Sequence, residues 1–281
     1  MALLIYSRDR NPKETVRCPR LRNRGRVLRA ALVVGLAWLA TLGAVGAALG
    51  GALGGSVGAA FALEPPPAAG YERSAASADG IGKRYLGREI SQVMGWQGAA
   101  WLEREERERE ERTDLLLVEL ALKPGMVVAD VGAGTGYIAR RMAVQVGSAG
   151  AVYAVDVQPE MIRLLQAAAA RDALAQIKPV LGAEQDVRLA AASIDLAVMV
   201  DVYHELAYPR EMLQSIVRAC KPGGRVVFVE YRAEDPRVPI KPLHKMSEAQ
   251  IRREAGAVGL VWERTAGTLP WQHVVVFTKP R

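Results

Sequence analysis

Met126-Val-Val-Ala-Asp-Val-Gly-Ala-Gly-Thr-Gly-Tyr137 decides how the rest of the chain is read. Val127, Val128 and Val131 form a β-branched apolar run interrupted by one acid, Asp130. Glycines follow at Gly132, Gly134 and Gly136, and a helical pattern covers residues 138–146. The order predicts a strand, a tight glycine turn and a helix. A turn of this kind lets a ligand lie against bare backbone and meet the amide end of the following helix.

The alternation continues downstream. Strand-like runs cover residues 151–156, 177–181, 194–200 and 225–230, separated by helical patterns at 159–174 and 209–220. Pro159 suits the first turn of its helix. Lys221-Pro-Gly-Gly224 reads as a turn, residues 231–246 as a long loop and 247–257 as a further helix. Two last runs, 260–265 and 273–278, are close enough to pair as a hairpin. Continuous apolar strands separated by helices predict a mostly parallel α/β sheet with helices on both faces. Right-handed crossovers make it doubly wound. Upstream, residues 63–80 read as a Pro/Gly-rich linker and 81–122 as an N-terminal helical lid or cap. Within that cap the charge run 103–112 reads as a solvated helix face. Trp96 and Trp101 belong either to a lid over the acceptor or to core packing.

In such sheets ligands bind beyond the carboxyl ends of the strands. Four segments meet there: the turn 132–136, Asp156, Gly182-Ala-Glu184 and Asp201-Val-Tyr-His-Glu205. Asp156 is placed to accept both hydroxyls of a ribose. A dinucleotide fingerprint would need its third glycine at Tyr137, which disfavours a nicotinamide oxidoreductase. An acid two residues before Gly132 suits a cationic amino group better than a pyrophosphate.

Asp130-Val-Gly-Ala-Gly-Thr-Gly136 resembles the first motif of the class I S-adenosylmethionine-dependent methyltransferases. Val155-Asp156 with Met161, Ile194-Asp195 leading to Asp201-x-Tyr-His204, and Lys221-Pro-Gly-Gly-Arg225 are similar to the later landmarks, in the right order. The resemblance runs from about residue 116 to the C-terminus. It implies a seven-stranded sheet of order 3-2-1-4-5-7-6 with strand 7 antiparallel, and S-adenosyl-L-methionine as cofactor. It places Gly132 and Gly134 against the methionine part, with Ala133 and Gly136 also at the cofactor, Asp130 near its amino group and Asp156 on the ribose. Val157 and Glu184 fall near the adenine, although Ala183 stands where many relatives carry an Asp. Asp201 closes the fourth strand beside the cofactor.

Methyl transfer neutralises charge, so alignment supplies most of the acceleration and a base is needed only for a protic acceptor. His204 and Glu205 are the candidates by position; the alternative for His204 is a structural residue packed over the cofactor. Tyr137, Trp96, Tyr231 and His244 are candidate acceptor-binding residues; His244 with Tyr231, Arg232 and Lys241 either binds an acidic or polar acceptor or belongs to a solvated loop. No Cys/His cluster has zinc spacing, and no metal is expected from the sequence. The segment Gly134-Thr-Gly-Tyr137 is similar to protein isoaspartate methyltransferases, without a matching upstream segment. The single-domain layout and Asp201-x-Tyr-His204 are most similar to small-molecule or quinone-type enzymes. A small organic or lipid-like acceptor is therefore expected. A catalytically inactive exported binding module that keeps the fold is the alternative.

The net charge of +7 would suggest nucleic acid, but its location argues otherwise. Residues 1–62 hold nine of the 37 basic residues and two of the 30 acidic ones, which leaves 28 of each for the remainder. A neutral body and the absence of an Asn-Pro-Pro-Tyr-type tetrapeptide argue against nucleic-acid substrates. In the leader, a basic stretch to Arg29 precedes a charge-free run from Ala30 to Leu63 ending in Ala60-Phe-Ala62. This reads as a secretory signal peptide or a membrane anchor over residues 1–62. The body is then exported to the periplasm or anchored in the inner membrane, and cytoplasmic only if the start is misassigned. Export sets a puzzle, because the cofactor is made in the cytoplasm. Of the two cysteines, Cys18 lies in the leader and Cys220 in the body, so they do not decide the compartment.

Overall fold

The structure is a computed structural model and describes residues 70–281. The signal-peptide or anchor segment and residues 63–69 lie outside the described residues.

The described chain opens as a meander, not a helix. β1 (Tyr71–Arg73), β2 (Gly80–Tyr85) and β3 (Arg88–Ser91) pair antiparallel in that order. The expected linker 63–80 therefore contains a strand, and the expected cap 81–122 starts as sheet. The cause is a two-residue reversal. Tyr85 pairs with Arg88, and both intervening residues have positive φ, Leu86 at 46° and Gly87 at 90°. Tight hairpins need that backbone, and Asn-Gly is its usual signature. Leu-Gly hides it. Tyr71, Tyr85 and Ile90 form the small core beneath the meander.

Three short helices follow, α1 (Ala99–Leu102), α2 (Arg107–Glu111) and α3 (Thr113–Leu120). Arg112, at φ 53°, breaks the charge run between α2 and α3. The alternating domain comprises β4 (Val127–Val131), α4 (Tyr137–Val146), β5 (Ala151–Asp156), α5 (Pro159–Arg171) and β6 (Ile177–Leu181). It continues with β7 (Ile194–Val200), α6 (Pro209–Ala219), β8 (Cys220–Tyr231), α7 (Glu248–Gly256), β9 (Val261–Ala266) and β10 (Gln272–Thr278). Pro159 and Pro209 sit in first helical turns, where no amide partner is lost. Ser247 caps α7 by accepting from the Gln250 N–H at 3.2 Å.

The large sheet has the order β6-β5-β4-β7-β8-β10-β9, which is the expected 3-2-1-4-5-7-6. Its first five strands are parallel, and β10 runs antiparallel to both β8 and β9. β4 lies centrally, with Val128 between Val152 and Leu196, and Asp130 between Ala154 and Val198. Alternate side chains of each strand enter two separate cores. Val128, Val198 and Val227 join Ile138 and Met142 of α4 and Leu116 and Leu120 of α3. Ala129, Met199 and Phe228 join Leu213 and Ile216 of α6 and Ile251 of α7. Burying both faces is what keeps a parallel sheet stable, and it explains the unbroken apolar strands. Among the described residues no helix is long and apolar enough to cross a membrane.

Candidate active site

The carboxyl end of β4 makes the cradle. Gly132, Gly134 and Gly136 have φ of 76°, 56° and 83°, a region that side chains with a Cβ rarely adopt. The N–H groups of Gly132 and Ala133 both donate to Val155 O, at 2.8 and 3.0 Å, which locks the turn to β5. A Cβ on Gly132 would meet Val202 Cγ2 at 2.4 Å, and one on Gly134 would meet Leu102 Cδ1 at 2.5 Å. These two glycines thus let Val202 and Leu102 pack directly on the turn at the edge of the cavity. Gly136 serves differently: a Cβ there would press on Leu165 of α5 at 3.0 Å. Ala133 is buried in the core. Of the four cradle residues expected at the cofactor, Gly132 and Gly134 line the cavity and the other two pack behind it.

The cavity encloses about 330 Å³. Asp156 stands on its floor, with Oδ2 accepting the Gly134 N–H and Oδ1 the Gln158 N–H, both at 2.9 Å. Burial pushes its carboxyl up, and the backbone donors work against that. Three backbone N–H groups, of Gly134, Val157 and Gln158, face a carboxylate with about four acceptor positions, so it keeps capacity for a further donor. Val157 and Glu184 border the opening. Asp130 lies beneath the turn. Its buried Oδ2 has no hydrogen-bond partner in the protein, and burial pushes its carboxyl up to about 7.

Residues after β7 and β8 build the opposite wall. Asp201, at φ 52°, turns the chain so that a short helical turn, Tyr203–Glu205, faces inward. Asp201 Oδ2 accepts from Gln272 Nε2 at 3.2 Å, while Oδ1 is buried and unpartnered. Burial drives this carboxyl well above its ordinary range, reinforced by Glu111 and Glu230. Glu230, fully buried at the end of β8, accepts the Tyr203 N–H at 2.8 Å with one oxygen and meets His204 Nδ1 at 2.6 Å with the other. His204 Nε2 lies 3.2 Å from His244 Nδ1. Burial opposes the cationic form of His204, but the Glu230 charge and hydrogen bond outweigh it and raise the histidine. His244 is lowered to about 4 by burial and by the neighbouring His204. Glu205 accepts the Met94 N–H at 3.0 Å.

The third wall comes from residues expected to be solvated. Arg107 and Glu111, in the charge run, are 5% and 3% exposed and line the cavity with Arg104. Arg107 pairs with Glu111 at 2.8 Å, Arg104 with Glu111 at 2.6 Å, and Tyr231 Oη donates to the same carboxylate at 3.3 Å. Val93, Met94, Trp101, Leu102, Leu206 and Ile240 make the rest of this side apolar. Behind it, Arg88 of β3 forms two hydrogen bonds to Glu254 of α7, at 2.8 and 3.1 Å, and one to His204 O at 2.9 Å. Tyr203 Oη adds a bond to Glu254 at 2.8 Å. The meander is thereby fastened to the site.

Several expected acceptor residues lie elsewhere. Tyr137 is buried in the core, its ring covered by Arg107 and Arg141 and its Oη donating to Glu108. Trp96 is 44% exposed and outside the cavity lining, whereas Trp101 is in it. Lys241 is engaged by Asp79 at 2.6 Å, and Arg232 donates to the carbonyls of Leu269, Pro270 and Gln272. Tyr231 and His244 do line the cavity. Arg104, Arg107, Glu111, Glu230 and Glu254 escaped sequence reading. The i,i+4 spacing of Arg107 and Glu111 fitted a surface pair equally well, and Glu230 carries no motif.

The sheet order is that of the class I methyltransferase fold. Residues 129–228 match the family described as "Methyltransferase domain". A solved S-adenosylmethionine-dependent methyltransferase from Aquifex aeolicus superposes with a TM-score of 0.63 at 24% identity, over 66% of this chain and 100% of that one. Among curated proteins, the chain is 35% identical over 118 residues to protein-L-isoaspartate O-methyltransferase 1 of Arabidopsis thaliana, covering 41% of this chain and 50% of that protein. It is 29% identical over 142 residues to the ubiquinone/menaquinone biosynthesis C-methyltransferase of Legionella pneumophila strain Corby, covering 50% and 56%. The chain spans about half the length of these curated relatives.

The residues fit S-adenosyl-L-methionine. Bare backbone at Gly132 and Gly134 lines the cavity, and a Cβ at either would collide with Val202 or Leu102 beside it. Asp156 has acceptor capacity left at the place a ribose would occupy. Asp130 offers an unpartnered buried oxygen behind the turn, a carboxylate suited to a nearby ammonium.

Proposed function

We propose that this protein is an S-adenosylmethionine-dependent methyltransferase acting on a small, largely apolar, lipid-like acceptor. One observation carries the reading: a single cavity joins the glycine cradle and Asp156 to an apolar wall with a polar corner at His204, Glu205 and His244. The cofactor supplies an electrophilic methyl group on a sulfonium. Gly132 and Gly134 admit it, Asp156 holds its ribose and Asp130 balances its amino group. Trp101, Leu102, Met94 and Ile240 exclude water and take up the acceptor's apolar body. The polar corner receives the acceptor's nucleophilic atom. Alignment of the two reactants is the main source of rate. The quinone-type relative supports a lipid-like acceptor, and the apolar wall supports it independently.

Two measurements test this. Calorimetry of the chain with S-adenosylmethionine is expected to give one saturable site; no binding overturns the reading. Incubation with methyl-labelled cofactor and separated envelope and cytosol fractions is expected to label a species extractable into organic solvent. Label confined to protein would redirect the proposal to a macromolecular acceptor. Export or membrane anchoring through the leader is proposed from its sequence alone, and fractionation of cells expressing the full chain tests it.

A further inference from the structure

The polar corner has a geometry that methyl transfer alone does not require. His204 comes from the turn after β7 and His244 from the turn Pro242–His244, forty residues on. Their facing nitrogens, His204 Nε2 and His244 Nδ1, are 3.2 Å apart with the rings at 75°. Two nitrogens bound to one tetrahedral zinc ion at 2.0–2.1 Å stand roughly 3.3 Å apart. Glu205 brings a third donor, and the ligand atoms of all three residues lie within 4.8 Å of one another. The Met94 N–H is the only hydrogen-bond donor to the Glu205 carboxylate among the described residues, which leaves an oxygen available.

The surroundings of His204 are those of a metal ligand. Ligating histidines nearly always give their other nitrogen to a carboxylate or carbonyl, which fixes the tautomer and aims the ring. Glu230 does this for His204 at 2.6 Å, and is itself fixed by the Tyr203 N–H. With Nδ1–H given to Glu230, His204 Nε2 is left as the acceptor nitrogen; it and His244 Nδ1 now lie within hydrogen-bond reach, and a bound ion would replace that contact. The three donors come from two segments, on one wall of a cavity that remains open in front of them. Two histidines, one carboxylate and an open position is a donor set that catalytic zinc uses.

We propose that His204 Nε2, His244 Nδ1 and a Glu205 oxygen bind one divalent transition-metal ion, of the zinc type, whose open coordination position faces the cavity. Glu230 is a positioning residue for this site. The metal's role rests on the methyltransferase reading: bound through its heteroatom, an acceptor hydroxyl or thiol loses its proton to water and is held as the anion beside the cofactor. Metal binding itself does not depend on that reading.

The test uses the purified full chain, stripped with chelator and titrated with Co²⁺, then with competing Zn²⁺. One equivalent of Co²⁺ is expected to produce visible absorption of tetrahedral intensity, which Zn²⁺ abolishes. His244→Ala and Glu205→Gln, each checked for native circular dichroism, are expected to weaken Zn²⁺ at least tenfold. Glu230→Gln is expected to weaken it by roughly 10–100-fold. His244→Gln replaces the alanine variant if that fails to fold. Absence of saturable Co²⁺ binding by the folded wild type overturns the proposal, as does wild-type affinity in the His244 and Glu205 variants. S-adenosylmethionine calorimetry on the same sample separates the two readings. Metal without cofactor binding removes the methyltransferase reading and leaves the site; cofactor without metal binding removes the site alone.

Discussion

Glu230 Oε2 holds His204 Nδ1 at 2.6 Å while Glu230 Oε1 holds the Tyr203 amide at 2.8 Å. One buried carboxylate therefore fixes both the ring and the backbone of the turn that carries it. Glu230→Gln can still accept at one atom, but it removes the charge that orients the imidazole. Labelled methyl transfer is expected to fall roughly 10–100-fold, with cofactor affinity unchanged by calorimetry. A parallel loss of cofactor affinity would show that the variant disturbs the cradle instead.

The cradle glycines separate into two functions that substitution can read. Gly134→Val puts a β-branched residue at φ 56° and a Cβ within 2.5 Å of Leu102 Cδ1. Cofactor affinity is expected to drop by roughly 100-fold or more, because backbone approach is lost. Gly136→Ala meets Leu165 at 3.0 Å with φ 83°, on the side away from the cavity. It is expected to cost about 1–2 kcal/mol of stability, with any cofactor binding that remains near wild type. Urea denaturation and calorimetry distinguish the two.

Asp130 is expected to make the protein pH-dependent. Burial raises its carboxyl from the ordinary 3.8 to about 7 in the folded protein. The folded state thus holds a proton that the unfolded state gives up earlier. Its contribution to stability is complete below about pH 4 and is lost as pH rises through about 7. Asp130→Asn is expected to flatten that part of the stability profile measured by urea titration. A cationic ligand group prefers the ionised carboxylate, so cofactor affinity of the wild type is expected to rise through the same interval and that of Asp130→Asn to lack the rise.

Arg88 and Glu254 tie the N-terminal meander to α7 through a buried pair, with side chains 9% and 0% exposed. Removing one partner of such a pair leaves a buried charge and costs about 3–5 kcal/mol. Arg88→Met is expected to show this loss in chemical denaturation. The double variant Arg88→Met with Glu254→Gln is expected to recover part of it. A loss below about 1 kcal/mol in the single variant would mean that water reaches the carboxylate.

The large sheet was legible because its strands are buried on both faces and read as unbroken apolar runs, from Val127 to Val131 and from Ile194 to Val200. Its order followed from the motif resemblance. The meander was hidden by a Leu86-Gly87 reversal that lacks the usual asparagine. Within the site, residues tied to strand ends were readable by position: Gly132, Gly134, Asp156 and His204 all reach the cavity. Tyr137 reads as an acceptor residue from position alone, but one residue along a helix turns a side chain through about 100°, here away from the cavity and into the core. The His204–His244 pair spans forty residues and shows only when β7 and the loop after β8 stand side by side. No local spacing could reveal it.

The charge run 103–112 looks like composition that could be shuffled at will. Its fold makes it a phase instead. α2 sends Arg107 and Glu111 inward as one helical stripe, with Arg109 and Glu110 on other faces. A single inserted residue would rotate that stripe by about 100° and carry the buried pair into solvent. The segment therefore tolerates a conservative exchange of one exposed charge for another far better than any change in length, and its reading frame, rather than its net charge, shapes the wall of the cavity.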